Sequence, residues 1–137
     1  MEGLGFMSYD VSLTKNRFVM PADLRPAFQG QGKFVIFSDK MSRTLIITDK
    51  NTFDESCKGL DMDVLITLNA REYDPKEDIQ ARGSFSASQM NLLGNPEEVI
   101  FSAIDKCIVV QNPDTVVDNK ESVEKQMRNV KDLMLGK

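Results

Sequence analysis

The sequence predicts a mainly β fold with short helices, and three observations predict it. Short runs rich in β-branched and aromatic residues fill the first fifty residues and are separated by turn signals. A similar series of elements recurs about 64 residues later. Hydrophobic residues make up 41% of the 137 residues, which is enough for the core of one domain spanning residues 1–137.

The first half, residues 7–53, contains four expected strands. Alternation of apolar and polar residues, or a concentration of strand-forming residues, places them at Val11–Leu13, Phe18–Met20, Lys33–Phe37 and Thr44–Thr48. A brief helix is expected at Ala22–Phe28, because it begins just after Pro21 and Pro26 limits its length. The segment Gly30–Gly32 is interpreted as a turn.

The second half, residues 78–117, repeats this pattern. Arg17–Phe53 aligns with Arg82–Val116 with one small gap, so that Leu45–Ile47 falls on Ile108–Val110. Ser86 or Ser88 is expected to cap a short helix that ends at Gly94, and strand character resumes at Val99–Phe101. Because each half is expected to contain strand, strand, short helix, strand and strand, we favour internal duplication over chance similarity.

Two segments lie outside the repeat. Where the first half meets the expected linker, residues 54–77, Thr52 and Glu55 resemble a capping box. Within the linker, Val64–Leu68 fits either a strand or part of a buried helix. Residues 118–137 are expected to form an amphipathic helix that packs on its own domain or joins subunits. Its capping box is Asp118 with Glu121, and its apolar face comprises Val123, Met127, Val130, Leu133 and Met134.

Several function classes are excluded by what the sequence lacks. With no histidine, the chain has no Ser-His-Asp triad, Cys-His pair or His-ligated metal site. Cys57 and Cys107 form no metal-binding or redox motif and are expected to be buried thiols, and no phosphate-binding glycine loop is present. We therefore expect no enzyme activity, metal, cofactor or small-molecule substrate. The apolar runs are too short to span a membrane and no secretory signal is apparent, so a cytoplasmic protein is expected.

The chain resembles the MraZ family. Residues 9–25, YDVSLTKNRFVMPADLR, are similar to the family pattern Y-x-x-x-L-D-x-K-G/N-R-h-x-h-P-A-x-h-R, where h is hydrophobic. Residues 78–86 are similar to its second motif, D-x-Q-G-R-h-x-h-P, and residues 97–101 to its K-E-V-V-L. The chain departs from the second motif at three positions: Ala81 replaces Gly, Gly83 replaces a hydrophobic residue, and Ser86 replaces Pro.

The resemblance implies a duplicated AbrB-like β-barrel with a C-terminal helix. It further implies a cytoplasmic, nucleoid-associated regulator that binds repeated promoter boxes of the division and cell-wall gene cluster as a ring-like homo-oligomer. The family's D-x-x-x-R signature is retained as Asp78 and Arg82, whereas in the first copy Thr14 stands in place of the Asp before Arg17. The expected contacts with double-stranded DNA are Lys15, Asn16, Arg17, Arg25, Asp78 and Arg82.

The distribution of charge agrees with a DNA-binding function. The net charge is −4, yet the segment from Thr14 to Arg43 carries six basic residues and two acidic ones. Lys15 and Arg17 beside a strand turn are suited to phosphates or guanine edges, and Asn16 to adenine. The alternative for Arg17 and Arg82 is an ion pair with a nearby carboxylate such as Asp78.

Two other functions are compatible with parts of the sequence. Carboxylates in the middle of the chain, including Asp61 and Asp63, are the residue types that bind Mg²⁺ or perform acid–base catalysis, but nothing in the sequence fixes their geometry. An antitoxin-like interaction module would bind a protein partner through the helix from Glu121 to Leu135. The two halves in one chain argue against that plan, which uses one half per chain.

Overall fold

The computed structural model describes residues 6–28, 32–75 and 78–115. They form a six-stranded antiparallel sheet, a two-stranded ribbon and short helices, which confirms the predicted mainly β fold with short helices. The strands are β1 (Phe6–Ser12), β2 (Arg17–Phe18), β3 (Phe34–Asp39), β4 (Thr44–Asp49), β5 (Arg71–Tyr73), β6 (Gly83–Ser84), β7 (Glu98–Ile104) and β8 (Cys107–Gln111). The α-helices are α1 (Lys50–Cys57), α2 (Met62–Thr67) and α3 (Ala87–Leu93), and 3₁₀ helices span Ala22–Phe28 and Pro113–Thr115.

The two central strands of the first half, β3 and β4, are buried on both faces. Successive residues of a strand point to opposite faces, and here Phe34 and Ile36 enter one hydrophobic core while Val35 and Phe37 enter another. This explains why both strands are nearly continuous apolar runs. The predicted strands Lys33–Phe37 and Thr44–Thr48 are confirmed to within a residue or two.

The larger core is built around aromatic rings. Phe18 is central, with its ring centroid 4.9 Å from that of Phe85, 5.3 Å from that of Phe101 and 5.6 Å from that of Tyr73. Phe28, at the end of the first 3₁₀ helix, packs on Phe34 and Tyr73. These contacts fix β2, the first 3₁₀ helix and the segment before α3 relative to the main sheet, of which β5 is an edge strand.

The helix boundaries correct one prediction and confirm another. Ser86 caps α3 through a reciprocal capping box with Gln89, and Gly94 ends the helix with a φ of 87°, both as expected. For α1, the expected capping box opening at Thr52 is wrong. The helix begins earlier, because Asp49 is its N-cap and the Asp49 carboxylate accepts hydrogen bonds from the backbone and hydroxyl of Thr52. The ambiguous segment Val64–Leu68 is helical up to Thr67, the end of α2, and none of the α2 residues is buried. Leu68, which follows the helix, is buried in the smaller core.

The strand order of the main sheet is β1-β7-β8-β4-β3-β5. In the two halves β1 corresponds to β5, β3 to β7 and β4 to β8. When each strand is replaced by its counterpart, the sheet keeps the same strand order, now counted from the opposite edge. The ribbon pairs the remaining two counterparts, β2 and β6. In the β4–β8 pair Ile46 lies opposite Val109. These two residues are also equivalent in the alignment of the two repeats. In the ribbon Phe18 lies opposite Gly83, again its aligned position. β5 lies inside residues 54–77, the expected linker.

Some predictions fall where the structure gives no description. The expected C-terminal helix at 118–137 and most of the Gly30–Gly32 turn lie outside the described residues. Within the described ranges, no helix has the length and apolar character needed to cross a lipid bilayer.

Candidate nucleic-acid interface

The loop at residues 14–17 is a tight hairpin connection that exposes two cations. Thr14 N–H donates to the Arg17 carbonyl at 3.0 Å, and Arg17 N–H donates to the Thr14 carbonyl at 3.1 Å. Lys15 at its tip has a φ of 59°. Because Phe18 is buried in the core, the preceding Arg17 points outward. The Asn16 carbonyl accepts a 2.9 Å hydrogen bond from Phe85 N–H, which ties the loop to the segment before α3.

The loop forms one wall of a cleft of about 580 Å³, which we call the loop cleft. Its cations are Lys15 and Arg17 from the loop and Arg71 from β5, and the hydroxyl groups of Ser84 and Ser86 also line it. Among the described residues that line this cleft none is acidic. Three charges of one sign in a concave surface concentrate the electrostatic potential there. The arrangement is suited to an anion that accepts hydrogen bonds, such as a phosphate.

The cationic surface ends beyond Lys15. On that side Lys15 borders a neighbouring cleft that also holds Glu97 and Glu98. The Glu97 carbonyl accepts a 2.8 Å hydrogen bond from Leu13 N–H and so fixes the approach to the loop.

Arg25 lies apart from the loop cleft. It belongs to the 3₁₀ helix Ala22–Phe28, where its guanidinium Nε–H donates to the Met20 carbonyl at 2.8 Å and the side chain is half-buried. This hydrogen bond closes the turn of chain around Pro21. Arg25 therefore stabilises the local backbone in this structure.

Asp78 and Arg82 form the ion pair that the sequence offered as the alternative to DNA contact. The Arg82 Nε lies 3.0 Å from Asp78 Oδ2, and the carboxylate also accepts hydrogen bonds from the backbone N–H groups of Arg82 and Gln80, each at 3.1 Å. The pKa of Asp78 is lowered, chiefly by the hydrogen bond from the Arg82 guanidinium. Desolvation raises this pKa, and the hydrogen bonds from the backbone N–H groups of Arg82 and Gln80 lower it further. Asp78 therefore organises the loop at residues 78–82.

A hydrogen bond from the buried Tyr73 holds the loop at residues 78–82. The Tyr73 hydroxyl donates a short hydrogen bond to the Ala81 carbonyl. Burial, together with the nearby Asp78 charge, raises the pKa of Tyr73, so the hydroxyl keeps its proton and continues to donate. Ala81 is fully buried with a φ of 47°, in the left-handed region that favours glycine.

Comparison of the chain with protein-family models and with curated proteins finds no match. The residues themselves therefore have to indicate the function. Of the expected site residues, the structure brings Lys15, Asn16 and Arg17 together in one cleft and places Asp78 with Arg82 in another loop.

Arg71 was missed by the reasoning from sequence because it lies in the expected linker. The signal that would have found it is the repeat. If β1 opens the first half, the second half needs a matching strand upstream of Arg82, and Arg71–Tyr73 is that strand. Arg71 pairs with Ile36 on β3, and this pairing brings it to the loop cleft.

The carboxylates of the middle segment do not assemble into a metal site in the part of the chain that is described. There, no three residues of the types Asp, Glu, Cys and His come together in a way that could hold an ion. Glu72 instead pairs with Lys33 across β5 and β3, with the Lys33 Nζ 3.4 Å from a Glu72 carboxylate oxygen. Both side chains are more than half exposed, so this is a surface ion pair with a small stabilising effect.

Proposed function

We propose that the protein is a DNA-binding transcriptional regulator resembling MraZ, which binds double-stranded DNA through the loop cleft as a homo-oligomer. The observation that carries the proposal is that Lys15, Arg17 and Arg71 line one cleft without an acidic lining residue among those described. The chain as a whole has a net charge of −4, so a cleft that gathers three positive charges is suited to an anionic partner. DNA offers a regular series of phosphates.

The chemistry of the loop fits both parts of DNA recognition. Lys15 and Arg17 carry hydrogen-bond donors and fixed positive charge, which suit phosphate oxygens and the acceptor edge of guanine. The Asn16 side chain has one donor group and one acceptor group, the pair that reads an adenine edge. Because the Asn16 backbone is held by Phe85, the loop is ordered before DNA arrives and binding loses less conformational entropy.

The proposed AbrB-like duplication is supported by the strand order. The sheet reads the same from both edges when the two halves are exchanged, and two aligned positions face each other across strand pairs. This symmetry is expected if an ancestral half formed a symmetric pair with a second copy of itself and the two copies later became joined in one chain. Ala81 supports the resemblance to MraZ. It stands where the MraZ pattern has Gly, and its φ of 47° lies in the left-handed region that favours glycine.

Oligomerisation is the second part of the proposal. One chain presents a single loop cleft with three cations, which gives weak, salt-sensitive binding by itself. Linking several copies raises the effective concentration of each cleft at neighbouring boxes on one duplex. A strictly monomeric mass in light scattering at the concentrations used for binding would contradict this part.

The experiment is fluorescence anisotropy with labelled duplex from upstream of the protein's own gene and with a scrambled duplex, at two salt concentrations. Arg17→Ala is compared with Arg82→Ala, since the repeat aligns the two arginines and Asp78 holds only the second. Lys58→Ala serves as a further control, because Lys58 is exposed, pairs with Glu55 and lines neither the loop cleft nor the Glu97 cleft.

We expect preferential, salt-sensitive binding that Arg17→Ala weakens at least about tenfold, the size of one lost guanidinium contact. Arg82→Ala is expected to have a smaller effect and Lys58→Ala almost none. If the wild-type protein binds neither duplex at low salt, the proposed function is wrong. Equal losses in all three variants would place the contact elsewhere.

A further inference from the structure

A second cationic cleft lies beside the first, and its two cations belong to the basic segment from Thr14 to Arg43 without being among the expected DNA contacts. This turn cleft, about 590 Å³ in volume, is lined by Lys40 and Arg43 from the β3–β4 turn and by Asn69, Ser88 and Asn91. Among the described residues lining it none is acidic, and Ile66 and Leu92 supply its apolar part. It therefore offers two positive charges and several neutral hydrogen-bonding groups.

The position of Arg43 is fixed by the fold. Its φ is 57°, in the left-handed region, and its guanidinium Nε–H donates to the Leu92 carbonyl at 3.4 Å. The arginine thus reaches from the turn to the last residues of α3. Lys40 at the start of the same turn is exposed.

The two clefts are joined by a short series of hydroxyl and amide contacts. Ser86, which lines the loop cleft, has its Oγ 3.2 Å from the Oγ of Ser88, which lines the turn cleft. The Asn69 side-chain amide donates to Ser88 Oγ at 2.7 Å. Buried Gln89 fixes this junction, because its side chain donates to the Ile36 and Asn69 carbonyls and accepts from Ser86 N–H.

We propose that the turn cleft binds the phosphate backbone of the same nucleic acid that occupies the loop cleft, so that one duplex crosses both. This inference rests on the proposed function. Arg71 lies opposite Ile36, and Lys40 follows Ile36 by four residues, one residue beyond the end of β3, so the backbone positions of the two cations are separated by about 13 Å along the strand direction. That distance corresponds to about four base pairs of duplex.

The ligand class follows from the lining. Lys40 and Arg43 are donors only, and the neutral amides and hydroxyls around them add hydrogen bonds to phosphate and sugar oxygens. Contacts of this kind do not depend on base sequence. The turn cleft is therefore expected to add affinity and salt dependence equally on every duplex, whereas the loop cleft provides the sequence preference.

The test compares the double variant Lys40→Gln/Arg43→Gln with Lys58→Gln/Lys106→Gln in the anisotropy assay. Both pairs change the net charge by the same amount, and neither Lys58 nor Lys106 lines the loop cleft or the turn cleft. Arg43→Lys, which keeps the charge, is included because a change at the turn can alter folding. Thermal unfolding of each variant identifies any that is not folded.

We expect Lys40→Gln/Arg43→Gln to weaken binding roughly tenfold on the upstream and the scrambled duplex alike. The slope of log K against log salt should fall in magnitude by about 2, since each lost phosphate contact accounts for about 0.9. Arg43→Lys should retain most of the affinity. If the double variant matches the Lys58/Lys106 control while Arg17→Ala still weakens binding, the inference is overturned and the proposed function stands. If the wild-type protein binds no duplex, both are overturned.

Discussion

Replacing Gly83 with alanine tests the packing between the two halves most directly. A Cβ at this position would lie 2.5 Å from Phe18 Cζ and 2.9 Å from Tyr73 Cε1, whereas ordinary contacts begin at 3.4 Å. The Phe18 ring would have to move by about 0.9 Å. It is 1% exposed and lies against Phe85 and Phe101, so any movement disturbs two further rings. Overpacking of this kind costs about 1–3 kcal/mol, and we expect Gly83→Ala to fall at the upper end.

The assay is thermal unfolding followed by circular dichroism. At this chain length 1 kcal/mol corresponds to a change in Tm of about 4 °C, so Gly83→Ala should lower the Tm by about 8–12 °C. Ser84→Ala on the same strand is the control and should change the Tm by less than about 2 °C. Adding Gly83→Ala to a Phe18→Leu background should cost less than it does in the wild type, because the closest clash, with the Phe18 ring, is absent and only the 2.9 Å approach to Tyr73 Cε1 remains. An equal cost in both backgrounds, or a wild-type Tm for Gly83→Ala, would refute the reasoning.

Three further changes probe the polar contacts around the clefts. Gln89→Leu leaves buried backbone groups without their side-chain partner, so urea unfolding should give a stability loss of about 2–4 kcal/mol, and wild-type stability would contradict this. Tyr73→Phe removes the donor to Ala81 and should cost about 1–2 kcal/mol, with faster amide hydrogen exchange in the loop at residues 78–82; unchanged exchange would show that other contacts hold the loop. Because the pKa of Asp78 is lowered in the folded protein, its pairing with Arg82 stabilises the fold above a pH of about 4, the ordinary range of the group, and this stability is lost as the pH falls through the lowered pKa. The Tm difference between wild type and Asp78→Asn should therefore be present at pH 7 and close on acidification, and a difference unchanged at pH 2 would argue against the charge.

Local sequence signals predicted those elements that local chemistry determines. The capping box at Ser86 and the glycine at Gly94 fixed both ends of α3, because each acts within a few residues of the helix. The strand predicted at Val11–Leu13 is shorter than β1, because Met7, Ser8 and Asp10 have exposed side chains. Its full length over Phe6–Ser12 comes from pairing with all seven residues of β7, a contact that is distant in sequence.

The candidate site divides in the same way. Lys15, Asn16 and Arg17 are adjacent in sequence, so a turn pattern was enough to group them. Arg71 reaches the same cleft only through the pairing of β5 with β3, and Lys40 with Arg43 form the second cleft only because α3 packs against their turn. Such groupings depend on strand order, which no local pattern encodes.

Strand order also governs when this protein can fold during its synthesis. Strand β1 is the first described element to be made, yet its partner residues run from Glu98 opposite Ser12 to Ile104 opposite Phe6. A ribosome adds about 5–20 residues per second, so β1 waits roughly 5–20 s before its partner strand exists. The hairpin of β3 and β4 is complete long before that. The earliest of the described strands is therefore among the last to be paired, and β1 lacks its partner until almost all of the sheet has been translated.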